Sequence, residues 1–148
     1  MSTPTLPEQL TSERIIKWLE DNDLRYFIDS DGDIGCHSAN RVYYFLQFGE
    51  QREVLQVRGK WNRLATIENA NRVLEFCNEW NMKMIWPKAY YRVRDDGQIN
   101  VYSEVTYDFE FGATTDHIED ALLCGIQTAD QLFDELDTVF PDPAQVHS

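Results

Sequence analysis

Tyr91-Arg92-Val93-Arg94-Asp95-Asp96-Gly97-Gln98-Ile99-Asn100-Val101-Tyr102-Ser103-Glu104-Val105-Thr106-Tyr107-Asp108-Phe109-Glu110-Phe111 is the stretch that decides the fold. From Ile99 through Val101, Ser103, Val105, Tyr107, Phe109 and Phe111 one set of alternate residues is mostly apolar. Gln98, Asn100, Tyr102, Glu104, Thr106, Asp108 and Glu110 form the polar set between them. A period of two is that of a strand with one dry and one wet face. A three-residue loop at Asp95, Asp96 and Gly97, with Gly97 left-handed, pairs Val93 with Ile99 and Tyr91 with Val101. A two-residue loop would set Arg94 against Ile99 and mix the faces. The same rule applied to Ile28-Asp29-Ser30-Asp31-Gly32-Asp33-Ile34 pairs Ile28 with Ile34 and Tyr26 with Cys36.

Outward from these hairpins the other elements follow. Thr11 fits an N-cap and Leu10 with Ile15 a hydrophobic staple, so a helix is predicted over Ser12 to Asn22 with Ile15, Trp18 and Leu19 inward. Val42 to Phe48 is apolar at almost every residue, as in a strand covered on both sides or at an interface. Leu55, Val57, Gly59 and Trp61 alternate with Gln56, Arg58 and Lys60, giving a strand with one dry and one basic face. Thr66 caps a second helix whose Ala70, Val73, Cys77 and Trp80 share a stripe, ending near Asn81. After Gly112, Asp116 with Glu119 opens a short helix that Gly125 closes, and Thr128 with Gln131 makes a capping box for a last one. Pro141 and Pro143 stop it. The predicted order is α-β-β-β-(β)-α-β-β-α-α: an α+β fold with an antiparallel sheet of five to six strands and helices packed on one face. The domain is placed at 11–141, between tails at 1–10 and 142–148.

At 148 residues, with 43% hydrophobic and 13% aromatic side chains, the chain fills one real core and is no disordered acidic polymer. Its longest apolar run, Val42 to Leu46, has five residues, far short of the roughly 20 of a membrane helix. No basic or apolar leader is visible, and a cytoplasmic location is predicted. The net charge is −13, which argues against general affinity for nucleic acid or anionic membrane. That charge is unevenly spread. Residues 1–35 carry eight acids and three bases, 36–94 five acids and ten bases, and 95–148 thirteen acids and no base. The basic middle, with Arg58, Lys60 and Arg63 and the aromatic residues Tyr43 and Trp61 taken as exposed, is the candidate partner-binding surface. Two accounts of it are open: a surface for nucleic acid or another anion, or a segment that faces the acidic C-terminal region. The second is favoured, because no nucleic-acid motif accompanies the charge.

No reactive constellation emerges. Cys36, Cys77 and Cys124 are about 40 residues apart without paired spacing, and read as reduced thiols. They and His37, His117 and His147 lack zinc-ligand spacing. Adjacent Cys36 and His37 point to opposite faces of a strand, so they make no catalytic dyad. Asp29, Asp31 and Asp33 begin like a calcium loop, but Ile34 stands where the loop glycine belongs and Asn40 where the bidentate glutamate belongs. A solvated hairpin tip is the better account of them. An acid pair such as Glu104 and Asp108, four apart on one strand face, is separated by about 13 Å, too far for a glycosidase pair. No metal, no cofactor and no enzymatic activity are predicted. A non-enzymatic module that binds a protein or peptide, as a homodimer, fits the aromatic-rich composition best.

Several stretches together resemble the YbjN domain family of bacteria. They are Arg58 to Trp61, Asn78-Glu79-Trp80-Asn81, Trp86-Pro87-Lys88-Ala89-Tyr90, Asp95 to Glu104, and Gly125-Ile126 before Phe133 to Leu136, spanning about Ile15 to Phe140. The resemblance implies a fold like that of type III secretion chaperones, a helix-flanked antiparallel sheet that often dimerises. It implies a role named sensory transduction regulation, and it carries no catalytic residues.

Overall fold

The computed structural model describes residues 6–140. The expected proline stop at Pro141 and Pro143 and the C-terminal tail at 142–148 lie outside the described residues. Helix α1 (Ser12–Asp21) is followed by strands β1 (Arg25–Ile28), β2 (Ile34–Ser38), β3 (Arg41–Phe48), β4 (Val54–Lys60) and β5 (Ala65–Thr66). A single 3-10 turn (Ile67–Asn69) leads into α2 (Ala70–Lys83), and β6 (Lys88–Val93), β7 (Gln98–Asp108) and α3 (Thr115–Val139) complete the chain. All strand pairings are antiparallel. Strands β1 to β4 form a meander, β7 lies beside β4, β5 continues along that same edge of β7, and β6 occupies its other edge. The α+β architecture with helices on one face is therefore the one predicted, with the two-residue β5 extending the sheet to seven strands.

Both hairpins have the predicted register: Ile28 opposes Ile34 and Tyr26 opposes Cys36, while Val93 opposes Ile99 and Tyr91 opposes Val101. Gly32 (φ 85°) and Gly97 (φ 83°) occupy the left-handed positions that close the turns, where a Cβ would be strained. Thr11 caps α1 by accepting from the Arg14 N–H, and Leu10 and Ile15 are both buried in the core, consistent with a staple. The tail expected over 1–10 is held at its inner end, where Glu8 and Ala113 exchange backbone hydrogen bonds of 3.1 and 2.8 Å. In α2 Val73, Cys77 and Trp80 are inward, and the helix runs two residues past Asn81.

The C-terminal region differs from the expected pair of helices. Residues Thr115–Val139 form one helix of 25 residues, N-capped by Thr114, whose hydroxyl accepts from the His117 N–H while His117 Nδ1 accepts from the Thr114 N–H. Gly125 does not end a helix. It lets α3 lie against β4: a Cβ there would stand 2.4 Å from Val57 Cβ. Nor does Thr128 start one, because its hydroxyl donates back to the Cys124 carbonyl at 2.6 Å.

One core lies between the sheet and the three helices, centred on Tyr43, Phe45, Leu55, Val57, Trp61, Ile99 and Val101 from the strands and Leu122, Leu132, Phe133 and Leu136 from α3. Strand alternation sends the other residues to a second face. The cross-strand rows His37–Val42–Lys60–Tyr102–Tyr90 and Gly35–Tyr44–Arg58–Glu104–Lys88 run across it.

Candidate interaction surface

Of the five residues predicted to meet a partner, three turn inward. Tyr43 and Trp61 are 0% and 1% exposed, so their assignment to the surface is corrected. The reason is parity: Tyr43 is paired with Gly59, two residues before Trp61 on the dry side of β4, which faces α3. Each buried aromatic hands its polar tip to an α3 carboxylate. Tyr43 Oη donates to Asp130, and Trp61 Nε1 donates to Asp137 at 2.8 Å. Burial, then the hydrogen bond and charge of Asp130, push the Tyr43 hydroxyl well above its ordinary pKa. Arg63 is half-buried, with Nε 3.4 Å from Asp137 and a guanidinium N–H donating to the Phe140 carbonyl at 2.8 Å.

Arg41 makes the same connection on a larger scale. Its side chain, 11% exposed, reaches Asp134 at 2.8 Å, Asp130 at 3.2 Å and Asp137 at 3.3 Å. Those acids fall on one stripe of α3, at spacings of three and four residues. Burial acts to lower the pKa of Arg41, and the bonds and charges of Asp134 and Asp130 outweigh it and raise the value. The basic middle of the chain thus meets the acidic C-terminal region within one molecule, as the second account of the charge required.

Arg58 and Lys60 do lie on the open face of the sheet. Arg58 donates twice to Gln56 Oε1, at 2.6 and 3.1 Å, and sits opposite Glu104, which also accepts from Gln56 and lies 3.9 Å from Lys88. That row holds two cations and one carboxylate, with Glu104 between Arg58 and Lys88. Around it stand half-buried aromatic rings: Tyr90 stacks on Tyr102 with centroids 5.2 Å apart, and Phe27 meets Tyr44 edge-on at 5.9 Å. Glu104 and Asp108 are both on this face, each in its own surroundings, and form no pair. At the hairpin tip, carboxylate oxygens of Asp29, Asp31 and Asp33 lie within 4.8 Å of one another, and one oxygen of Asp29 already accepts the N–H groups of Asp31 and Asp33.

A cluster of exposed apolar residues went unread in the sequence. From the last turn of α2 and the short connection to β6, Met82 (87% exposed), Ile85 (86%), Trp86 (48%) and Met84 (37%) project outward. They are held there rather than left loose. Trp80 Nε1 donates to the Pro87 carbonyl at 2.9 Å, and the Asn81 side chain both donates to the Ala89 carbonyl (2.9 Å) and accepts from the Ala89 N–H (2.8 Å). The loop is thereby tied across its base, with its apolar side chains outward. A density of large apolar residues without helical or strand period was the available signal. The tying residues belong to the stretches 78–81 and 86–90 that carry the family resemblance.

A family model described as "Putative bacterial sensory transduction regulator", YbjN, matches residues 11–138. Among solved structures, the chain is similar to the "Crystal structure of YbjN, a putative transcription regulator from E. coli", with a TM-score of 0.77 and 9% identity over 90% of this chain and 96% of that one. It is also similar to the "Crystal structure of an uncharacterized protein from Methanothermobacter thermautotrophicus", with a TM-score of 0.62 and 13% identity over 88% of this chain and 99% of that one. At those identities the likeness is one of fold. No curated protein sequence matches the chain. Among the described residues no helix is long and apolar enough to cross a membrane.

Proposed function

The chain belongs to the YbjN family, and on that footing we propose that it is a non-enzymatic regulator that acts by binding protein, with the loop Met82–Trp86 as its anchor. The observation that carries this is the tied loop: four large apolar side chains are kept in water by hydrogen bonds on either side of them. Keeping them there opposes the hydrophobic effect, and a preorganised apolar patch loses little freedom when it is covered. Trp is the residue most enriched among binding hot spots, and Met adapts to irregular surfaces. Protein rather than nucleic acid is the partner that fits, since the net charge is −13 and Arg41, Arg58 and Arg63 are all engaged within the molecule. A second copy of the chain is one such partner, joined through a symmetric patch.

Light scattering over a concentration series tests the dimer: Ile85→Asp should return a dimeric mass to 17.4 kDa. A parent mass that stays at 17.4 kDa up to high micromolar concentration removes it. A photo-crosslinking residue at position 85, compared with one at Lys17 on α1, tests the wider proposal in the native cytosol. Capture of a protein through position 85 and not through 17 supports it, and no adduct at 85 refutes it.

A further inference from the structure

Where β4 parts from β7, after Lys60, the chain from Trp61 to Leu64 leaves a cleft of about 710 Å³ at the end of the open face. Its volume is that of a small-ligand pocket. The polar side chains lining it are His37, Lys60, Arg63 and Arg94, with the amides of Asn40, Asn62 and Asn100. No carboxylate lines it among the described residues, in a chain where acids outnumber bases by two to one. Arg63 and Arg94 each have one carboxylate neighbour outside the lining, Asp137 and Asp96, whereas Lys60 has no ion-pair partner among the described residues.

A second observation is independent of charge. Asn100 is 7% exposed, and its Oδ1 is buried without a hydrogen-bond partner; the Oδ1 of Asn62, another lining residue, is likewise buried and unpartnered. Buried polar atoms are almost always satisfied, so two unmatched acceptors in one cleft call for donors supplied from outside the protein. Cations and acceptors side by side do not suit a bare anion. They suit one that also carries hydroxyl or amino groups.

We propose that this cleft binds a small hydroxylated or amino-bearing anion, with Lys60 and Arg94 meeting its phosphate or carboxylate group and Asn62 and Asn100 accepting from its donors. The test is a titration of the isotope-labelled full chain at low salt, followed through backbone amide shifts, with four probes. Ribose 5-phosphate and gluconate carry both features as phosphate and carboxylate; sulfate carries only charge and ribose only donors. The expected result is saturable shifts at His37, Lys60, Asn62 and Asn100 with one of the first two probes, about tenfold tighter than with either control. Which of the two binds identifies the anionic group. Lys60→Gln should weaken that probe about tenfold. Asn100→Leu should abolish its advantage over sulfate while raising the melting temperature, because an unmatched polar group is gone. The proposal is overturned if neither ribose 5-phosphate nor gluconate shifts these residues, or if sulfate binds as tightly as they do.

Discussion

Replacing Gly125 by alanine sets local preference against tertiary packing, and the two give opposite signs. In the middle of a 25-residue helix, alanine is favoured over glycine by about 1 kcal/mol. Against β4 the new methyl carbon would stand 2.4, 2.5 and 2.8 Å from three side-chain carbons of Val57, which is itself fully buried. Overpacking of a filled core costs about 1 to 3 kcal/mol, and contacts this short belong at the upper end. The net expectation is a loss of about 2 kcal/mol, or a fall of about 4–8 °C in Tm for a chain of this size. Urea denaturation followed by tryptophan fluorescence measures it, with the slope checked for constancy. A second variant, Val57→Ala, makes room for the methyl. The double variant should then be more stable than the sum of the single losses by about 1 to 2 kcal/mol. If Gly125→Ala is as stable as the parent or more so, α3 does not lie on β4 as described, and the glycine serves the local role of a helix stop.

Three further expectations follow from the same structure. Asn81→Ala removes both bonds to Ala89 and should cost about 2 kcal/mol, and limited trypsin digestion should then cut faster after Lys83, at the end of α2 where the released loop begins. Arg41→Gln leaves Asp130, Asp134 and Asp137 facing one another; a loss of about 2 kcal/mol is expected, discounted because those acids are partly solvated, and 1 M NaCl should reduce it. A loss unchanged by salt would contradict the electrostatic account. Burial pushes the thiols of Cys36 and Cys77 up to about 11. The folded state therefore holds protons that the unfolded chain has given up, so this stability is complete below about pH 8.5 and drains away as pH rises toward 11. Urea midpoints at pH 8 and pH 10.5 check the sign, and at pH 8 an aromatic disulfide reagent should modify the less buried Cys124 before the other two.

What could be read in the sequence was local. Both hairpins were legible to the residue because Gly32 and Gly97 fix the loop length, and loop length fixes which faces pair. The first helix was legible from its cap and staple. The errors came where a local signal had a distant cause. Gly125 and Thr128 look like stop and start, and only the presence of Val57 beneath the helix and of the Cys124 carbonyl one turn back explains them. Val42 to Phe48 is apolar at nearly every position, so it has no phase of its own; pairing with β4 decides that Tyr43 faces α3. For the loop Met82–Trp86, no period exists to be detected, and its exposure is set by bonds that Trp80 and Asn81 make across a gap of seven or eight residues.

Those bonds divide labour within the loop. Trp80, Asn81 and the backbone of Pro87 and Ala89 form a frame, while Met82, Met84, Ile85 and Trp86 are contents that make none of the framing bonds. A frame closed by its own atoms is indifferent to what it displays. Exchange of the most exposed of these side chains, Met82 and Ile85, should therefore leave the domain folded, because the brackets on either side hold the chain whatever stands between them.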